Sequence, residues 1–142
     1  MSVSIGRSLR SPRAHRSAGA LPTHAALRVC LADLDLLYRE QNTRAWTLAA
    51  ELETRDPVAR WNEWAREWER RVDDLSDRCR LDAASGEDAA ARAELAAGRD
   101  ALLALHRAYG AQVNRFGQEN GDLAQAAAEA MAHARVAVGQ TR

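Results

Sequence analysis

The chain has 142 residues, of which 46% are hydrophobic and 28% are charged. This length and composition suit one folded domain with a single core, and they exclude wholesale disorder. The 20 basic and 20 acidic residues balance, which excludes a protein that is basic throughout and binds nucleic acid with its whole surface. Because no apolar stretch reaches the length of about 18 residues that a membrane span requires, we expect no transmembrane segment.

Residues 1–22 differ in composition from the rest of the chain. They are rich in serine, lack acidic residues and carry arginines at regular intervals, at Arg7, Arg10, Arg13 and Arg16. Such a segment buries too little apolar area to offset the entropy of ordering, so we predict a flexible basic tail. Its composition resembles a mitochondrial transit peptide, and it also suits an export signal or an arm that docks on an acidic surface.

The first helical segment begins after Thr23 and ends before Asp56-Pro57, since a residue that precedes proline avoids helical angles. Its apolar residues alternate in steps of four and three, which is typical of a coiled-coil seam, with one polar position at Gln41. We interpret Gln41 as a buried polar group that fixes the register between helices. The predicted seam is Leu27, Leu31, Leu34, Tyr38, Gln41, Ala45, Leu48 and Leu52.

A second helix begins at Pro57 and reaches a break at Ala84-Ser85-Gly86. Its outer face carries the pairs Glu67–Arg71 and Asp74–Arg78, which are four residues apart and in the favourable order. Ser85 and Asp88 resemble a capping box for the next helix. The predicted inner seam is Val58, Trp61, Ala65, Trp68, Val72, Leu75 and Cys79, with Trp64 at its edge.

A third helix extends to about residue 118, and a fourth, very rich in alanine, covers 123–138. Three glycines lie within the third helix, where each costs roughly 1 kcal/mol relative to alanine. In the fourth helix we expect Leu123, Met131, Val136 and Val138 to supply the apolar face. The predicted seam of the third helix is Leu95, Gly98, Leu102, Leu105, Tyr109, Val113 and Phe116.

Short turns between consecutive helices make neighbours antiparallel. The sequence therefore predicts an all-α fold, an up-down-up-down bundle of about four helices over residues 23–142. The alternative is a pair of long hairpins that associate between two chains. The fourth helix is shorter than the first and third, so one end of a closed bundle is less covered than the other.

The hairpin register gathers the large aromatic side chains at one end of the bundle. A turn near residue 56 places Trp46 near Trp64 and Trp68, and a turn near residue 85 places Trp61 near Tyr109. One interpretation is a bulky core layer. The other is a partner-binding site in which Trp64 stays exposed as an anchor. The candidate partner-binding residues are Trp46, Trp61, Trp64, Trp68, Tyr109 and Phe116.

The two cysteines lie on or beside the seams of the first two helices. The register places Cys30 opposite residue 82, one turn from Cys79, so an interhelical disulfide is geometrically allowed but not required. We expect two buried thiols, and the absence of a Cys-x-x-Cys pair argues against zinc-finger and thioredoxin-type chemistry. The predicted compartment is the cytoplasm, with an organelle or the cell exterior as alternatives if the tail is a targeting segment.

Residues for catalysis or metal binding do not form a recognisable pattern. His106 and His133 should approach each other across the turn between the third and fourth helices, yet a metal site needs at least three such ligands. We interpret all four histidines as surface or edge residues. Carboxylate pairs such as Asp33 and Asp35 fall on solvent-facing positions, whereas acid–base catalysis requires a buried carboxyl group. We therefore expect no enzyme activity, no metal and no cofactor.

The remaining function classes concern binding. The helical seams favour a protein–protein interaction module that assembles with a partner or with itself, as an adaptor, assembly or chaperone-like component. The alternative is an accessory protein that binds nucleic acid through the four tail arginines, with affinity that falls as salt rises.

Overall fold

The computed structural model describes residues 24–51, 57–83, 86, 88–115 and 121–140. Within these ranges the regular structure is entirely helical, which confirms the predicted all-α fold. The arginine tail, Leu52 and Phe116 lie outside the described residues. The four helices are α1 (His24–Glu51), α2 (Pro57–Arg78), α3 (Ala89–Arg115) and α4 (Gly121–Gln140).

Consecutive helices run in opposite directions. Ion pairs join Asp33 of α1 to Arg78 and Glu40 to Arg71 of α2, so residue numbers rise along one helix as they fall along the other. Helices α1 and α3 are parallel, because Gln41 bonds to His106 and Leu34 lies beside Gly98. The helices therefore form the predicted up-down-up-down bundle.

The parallel pair α1 and α3 lies at the centre of the bundle. Both α2 and α4 pack against this pair, but the described parts of α2 and α4 do not contact each other. Gly98 allows close packing here, because an added Cβ would lie 3.3 Å from Met131 Sδ and 3.4 Å from Leu34 Cδ2. The glycine that is unfavourable for helix α3 alone is thus used where three helices meet.

The buried face of α1 is rotated from the predicted seam. Cys30 and Leu37 are buried, whereas Leu31 and Tyr38, which we expected at the seam, are only partly buried. The reason is that α1 faces three helices, and a core-facing stripe is wider than the seam of a two-stranded coiled coil. The buried side chains of α1 are Leu27, Cys30, Leu34, Leu37 and Gln41.

Helix α2 ends earlier than the sequence suggested. Arg80 adopts a left-handed conformation with φ of 52°, and the N–H of Leu81 donates to the carbonyl of Ser76 at 3.1 Å. The N–H of Arg80 donates to the carbonyl of Asp77 at 3.2 Å, which completes a Schellman motif, and Leu81 packs into the core. An arginine occupies the position that usually holds glycine, so the residue type did not indicate that α2 ends here.

The apolar face of α4 also differs from expectation. Met131 and Val138 are buried as predicted, but Leu123 is 37% exposed and Val136 is 58% exposed. The small side chains of Ala127 and Ala134 take their places in the core. Alanines at the interface allow α4 to approach its neighbours closely, and the two larger residues fall outside the contact.

Candidate functional site: the aromatic cluster and the two faces of α1

The predicted aromatic cluster forms between α2 and α3. Trp61, Trp64 and Trp68 occupy successive turns of α2, and the ring of Trp61 meets Trp64 at 5.1 Å and Tyr109 at 6.5 Å. The centroid of Trp64 lies 5.9 Å from that of Trp68. His106 of α3 stacks on Trp68 at 4.2 Å and lies within 5.9 Å of the other two indoles. The predicted contact between Trp61 and Tyr109 is therefore present.

Most of this cluster is core. Trp68 is fully buried and Trp61 is 2% exposed, so neither indole reaches a partner while the bundle is folded. Trp64 and Tyr109 are partly buried. Trp64, named as the anchor in the partner-binding interpretation, makes contacts within the fold: its indole N–H donates to Glu40 Oε2 at 3.0 Å, and the guanidinium of Arg44 lies 5.7 Å from its ring centre.

Trp46 is not part of the cluster, contrary to the register argument. It is 85% exposed. The ion pairs from Asp33 to Arg78 and from Glu40 to Arg71 align α1 with α2 and place Trp46 at the level of the cluster along the bundle. The side chain of Trp46 points outward, because this position lies on the outer side of α1. The exposed tryptophan is therefore Trp46 and not Trp64, which the partner-binding interpretation named.

His106 is the feature that the sequence interpretation missed. It is buried, with Nδ1 at 2.9 Å from Gln41 Oε1 and Nε2 at 2.8 Å from Glu69 Oε2. The expected approach to His133 does not occur, and His133 is exposed. His106 directly follows Leu105 of the predicted α3 seam, so it lies beside the core-facing side of α3. The polar position Gln41 was the available signal for a buried polar partner.

Burial lowers the pKa of His106, and the hydrogen bond from the ring to Glu69 acts in the opposite direction. With Gln41 Oε1 and a carboxylate oxygen facing its two nitrogens, the ring meets two acceptors, which suits the imidazolium form. The neutral ring has one N–H, which Glu69 accepts, so Nδ1 then needs a donor. Gln41 supplies it if its amide turns over, since its buried Nε2 has no partner in the present orientation.

A disulfide joins Cys30 and Cys79, with the Cα atoms 6.2 Å apart. This corrects our expectation of two free thiols. The bridge ties α1 to the residue that follows α2 and closes a loop with a sequence separation of 49 residues. Both cysteines are buried among aliphatic residues such as Leu27 and Leu75, on the side of the core away from the aromatic cluster.

Charged residues connect the helices at the surface. Asp33 and Asp35, which we expected to face solvent, are partly buried and accept Arg78 and Arg135 from other helices. The Asp74–Arg78 contact forms as predicted, at 3.8 Å. The predicted Glu67–Arg71 pair does not: Arg71 reaches across to Glu40, and Arg70 binds Glu67.

Two further properties limit the chemistry of the described residues. Among them, no three histidine, cysteine or acidic side chains converge in a way that would hold a metal ion. No described helix combines the length and apolarity that a membrane crossing requires.

A shallow groove of about 230 Å³ runs between α1 and α2 and is lined by Leu36, Leu37 and Leu75 together with charged side chains.

The outward side of α1 carries a second apolar repeat, which the sequence interpretation overlooked. Val29, Leu36 and Trp46 are 55%, 54% and 85% exposed, and they are three of the five large apolar side chains that are exposed in the described part of the chain. With the residues between them they follow the same four-three spacing as the inner seam. We call this surface the outer seam; its members, all exposed, are Ala25, Val29, Ala32, Leu36, Arg39, Thr43 and Trp46.

Comparison with known proteins gives no relative: no family model, no curated protein and no solved structure matches the chain.

Proposed function

We propose that this protein is a non-enzymatic helical interaction module, an adaptor or assembly component that binds a protein partner through the outer seam of α1. The observation that carries the proposal is the exposure of Val29, Leu36 and Trp46 at coiled-coil spacing on one helix. A helix that is apolar on opposite faces is usually covered on both, and among the residues that the structure describes only the inner face of α1 is covered.

The rest of the bundle supports this role by holding α1 rigid. The disulfide and the ion pairs to Arg71, Arg78 and Arg135 attach α1 to α2 and α4. A partner helix therefore meets a preformed surface and does not have to order it, which reduces the entropic cost of binding. The aromatic cluster then serves the stability of the module, and of the tryptophans only Trp46 remains a candidate partner contact.

The experiment compares the full chain with two variants, Leu36→Glu and Val136→Glu, in the cells that produce it. The two side chains have nearly equal exposure, 54% and 58%, but only Leu36 lies on the outer seam. We expect the native protein to fractionate in a species larger than its 15.6 kDa monomer. Leu36→Glu should shift it to the monomer position, and Val136→Glu should not.

Two results contradict the proposal. One is a native protein that fractionates as a monomer under all conditions that preserve complexes. The other is a complex that survives Leu36→Glu unchanged, since a charge at the centre of a helix–helix seam leaves an unpaired group buried.

The disulfide bears on where the module works. Disulfides persist in oxidising compartments and are rare in the cytosol. We therefore infer an organelle or exported location in place of the cytoplasmic one that the sequence suggested. Alkylation of native material before reduction tests this inference: we expect both cysteines to resist labelling in denaturant, and two labelled thiols would return the protein to a reducing compartment.

A further inference from the structure

We propose that the partner of the outer seam is a second copy of this chain, with the two α1 helices antiparallel over residues 25–36. This inference rests on the proposed function and names its partner. In this arrangement Val29 packs against Ala32 of the partner subunit and Leu36 against Ala25 of the partner subunit. The two-fold axis repeats each contact, as in any symmetric dimer.

The sizes of the exposed side chains fit this pairing. Along the seam, small and large residues alternate: Ala25, Val29, Ala32 and Leu36. In the antiparallel register over residues 25–36, each large residue lies opposite a small one from the other helix. The two helices can therefore approach closely without a clash between two leucines. The seam is thus complementary to itself, which is what a two-fold interface requires.

Arg39 selects this register among the antiparallel ones. It lies on the same seam, three residues beyond Leu36. A shift by one heptad sets Arg39 against Val29 of the partner subunit, and a shift by two sets it against Leu36 of the partner subunit. Each alternative buries a guanidinium against an apolar side chain, which is costly. The register over 25–36 leaves Arg39 beyond the paired segment, and a shift of one heptad in the other direction would shorten that segment to residues 25–29.

The parallel arrangement is unfavourable for the same reason. In-register parallel helices bring Arg39 against Arg39 of the partner subunit at a core position. In the antiparallel register Arg28 approaches Asp35 of the partner subunit, which has the opposite charge. Asp33 approaches Ala26 of the partner subunit, which has no charge, so no like charges meet beside the seam. Within its own chain Asp35 also accepts Arg39 and Arg135, so this rim contact guides the register more than it strengthens the dimer.

The paired segment has 12 positions and a length of about 18 Å at 1.5 Å per residue. This is shorter than the contact of a permanent dimer, so we expect a reversible dimer that depends on concentration.

Sedimentation equilibrium of the purified full chain, at concentrations up to about 1 mM so that even a weak dimer is populated, tests the proposal. We expect Leu36→Glu to raise the dissociation constant at least about 100-fold, because the symmetric interface loses two buried leucines. Val136→Glu is the matched control and should change it less than about 2-fold. Val29→Glu is a second seam variant in case Leu36→Glu does not fold, and circular dichroism verifies the fold of each.

Two results overturn the proposal: a wild-type chain that stays monomeric to about 1 mM, or a Val136→Glu variant that dissociates as readily as Leu36→Glu. If the purified chain is monomeric while the cellular complex still depends on Leu36, self-pairing is wrong and the interaction module stands. If neither the purified chain nor the cellular complex depends on Leu36, both proposals are wrong.

Discussion

The two faces of α1 have the same spacing and opposite surroundings. On the inner face Leu27, Leu34 and Gln41 are fully buried; on the outer face Val29 and Leu36 are more than half exposed. The difference lies in the neighbours, since the inner residues face α2, α3 and α4 together. A heptad spacing therefore identifies a helix that packs on something, but it does not say which face packs inside its own chain.

The largest expected effect on the free energy of unfolding comes from removal of the disulfide that attaches the inner face of α1 to the end of α2. Replacement of both Cys30 and Cys79 by alanine releases a loop with a sequence separation of 49 residues. In the chain-entropy description this costs about 4 kcal/mol of unfolding free energy. Urea unfolding of the two proteins measures it. A loss below about 1 kcal/mol would mean that the bridge adds little to the packing around it.

The second effect compares the two faces directly. Leu34→Ala empties a site that is fully buried between α1 and α3, and we expect it to cost about 3 kcal/mol of unfolding free energy. Leu36→Ala, two residues along, should change the stability of the monomer by less than about 0.5 kcal/mol. Both values come from urea unfolding at low protein concentration. Equal losses would contradict the assignment of inner and outer faces.

The third effect concerns the polar part of the inner face. Gln41→Leu leaves His106 Nδ1 buried without a partner, and we expect a cost of about 1 to 3 kcal/mol. Gln41→Leu combined with His106→Leu removes both partners, so the double variant should recover much of that loss. A double-mutant cycle in urea gives the coupling. Additive losses would show that the hydrogen bond contributes nothing of its own.

The smallest effect is the dependence of stability on pH. Burial lowers the pKa of His106 below its ordinary value of 6.5, so the unfolded chain binds the proton more readily than the folded chain. Stability that is complete above pH 6.5 should therefore decline as the pH falls below it. His106→Gln should flatten this decline, and His133→Gln, at an exposed position, should not. Urea midpoints at a series of pH values from neutral to acidic record the difference.

Much of the inner architecture was predictable because it depends on local patterns. The α2 seam from Trp61 to Cys79 is buried as expected, and the Trp61–Tyr109 contact follows from the short turn between α2 and α3. The phase of α1 was not predictable to one residue, since it depends on how many helices surround it. For the same reason Cys30, placed only near Cys79 by the register, could not be paired from the sequence.

The candidate site was less predictable than the fold. The tryptophans were candidate partner contacts because of their large side chains. Large apolar side chains also favour burial, and Trp61 and Trp68 lie in the core. The outer seam contains two alanines, a threonine and an arginine. Because helices commonly expose these residue types, the four-three spacing of the seam is not recognisable in the sequence as an apolar stripe. Only the burial of the inner face separates the two repeats on α1.

The most direct test of the difference between the two faces is the solution mass of the purified wild-type chain, measured by light scattering across a concentration series. If the outer seam pairs with itself, the mass should rise from 15.6 kDa toward twice that value as the concentration increases. A mass that stays at 15.6 kDa throughout would contradict the antiparallel α1 pair.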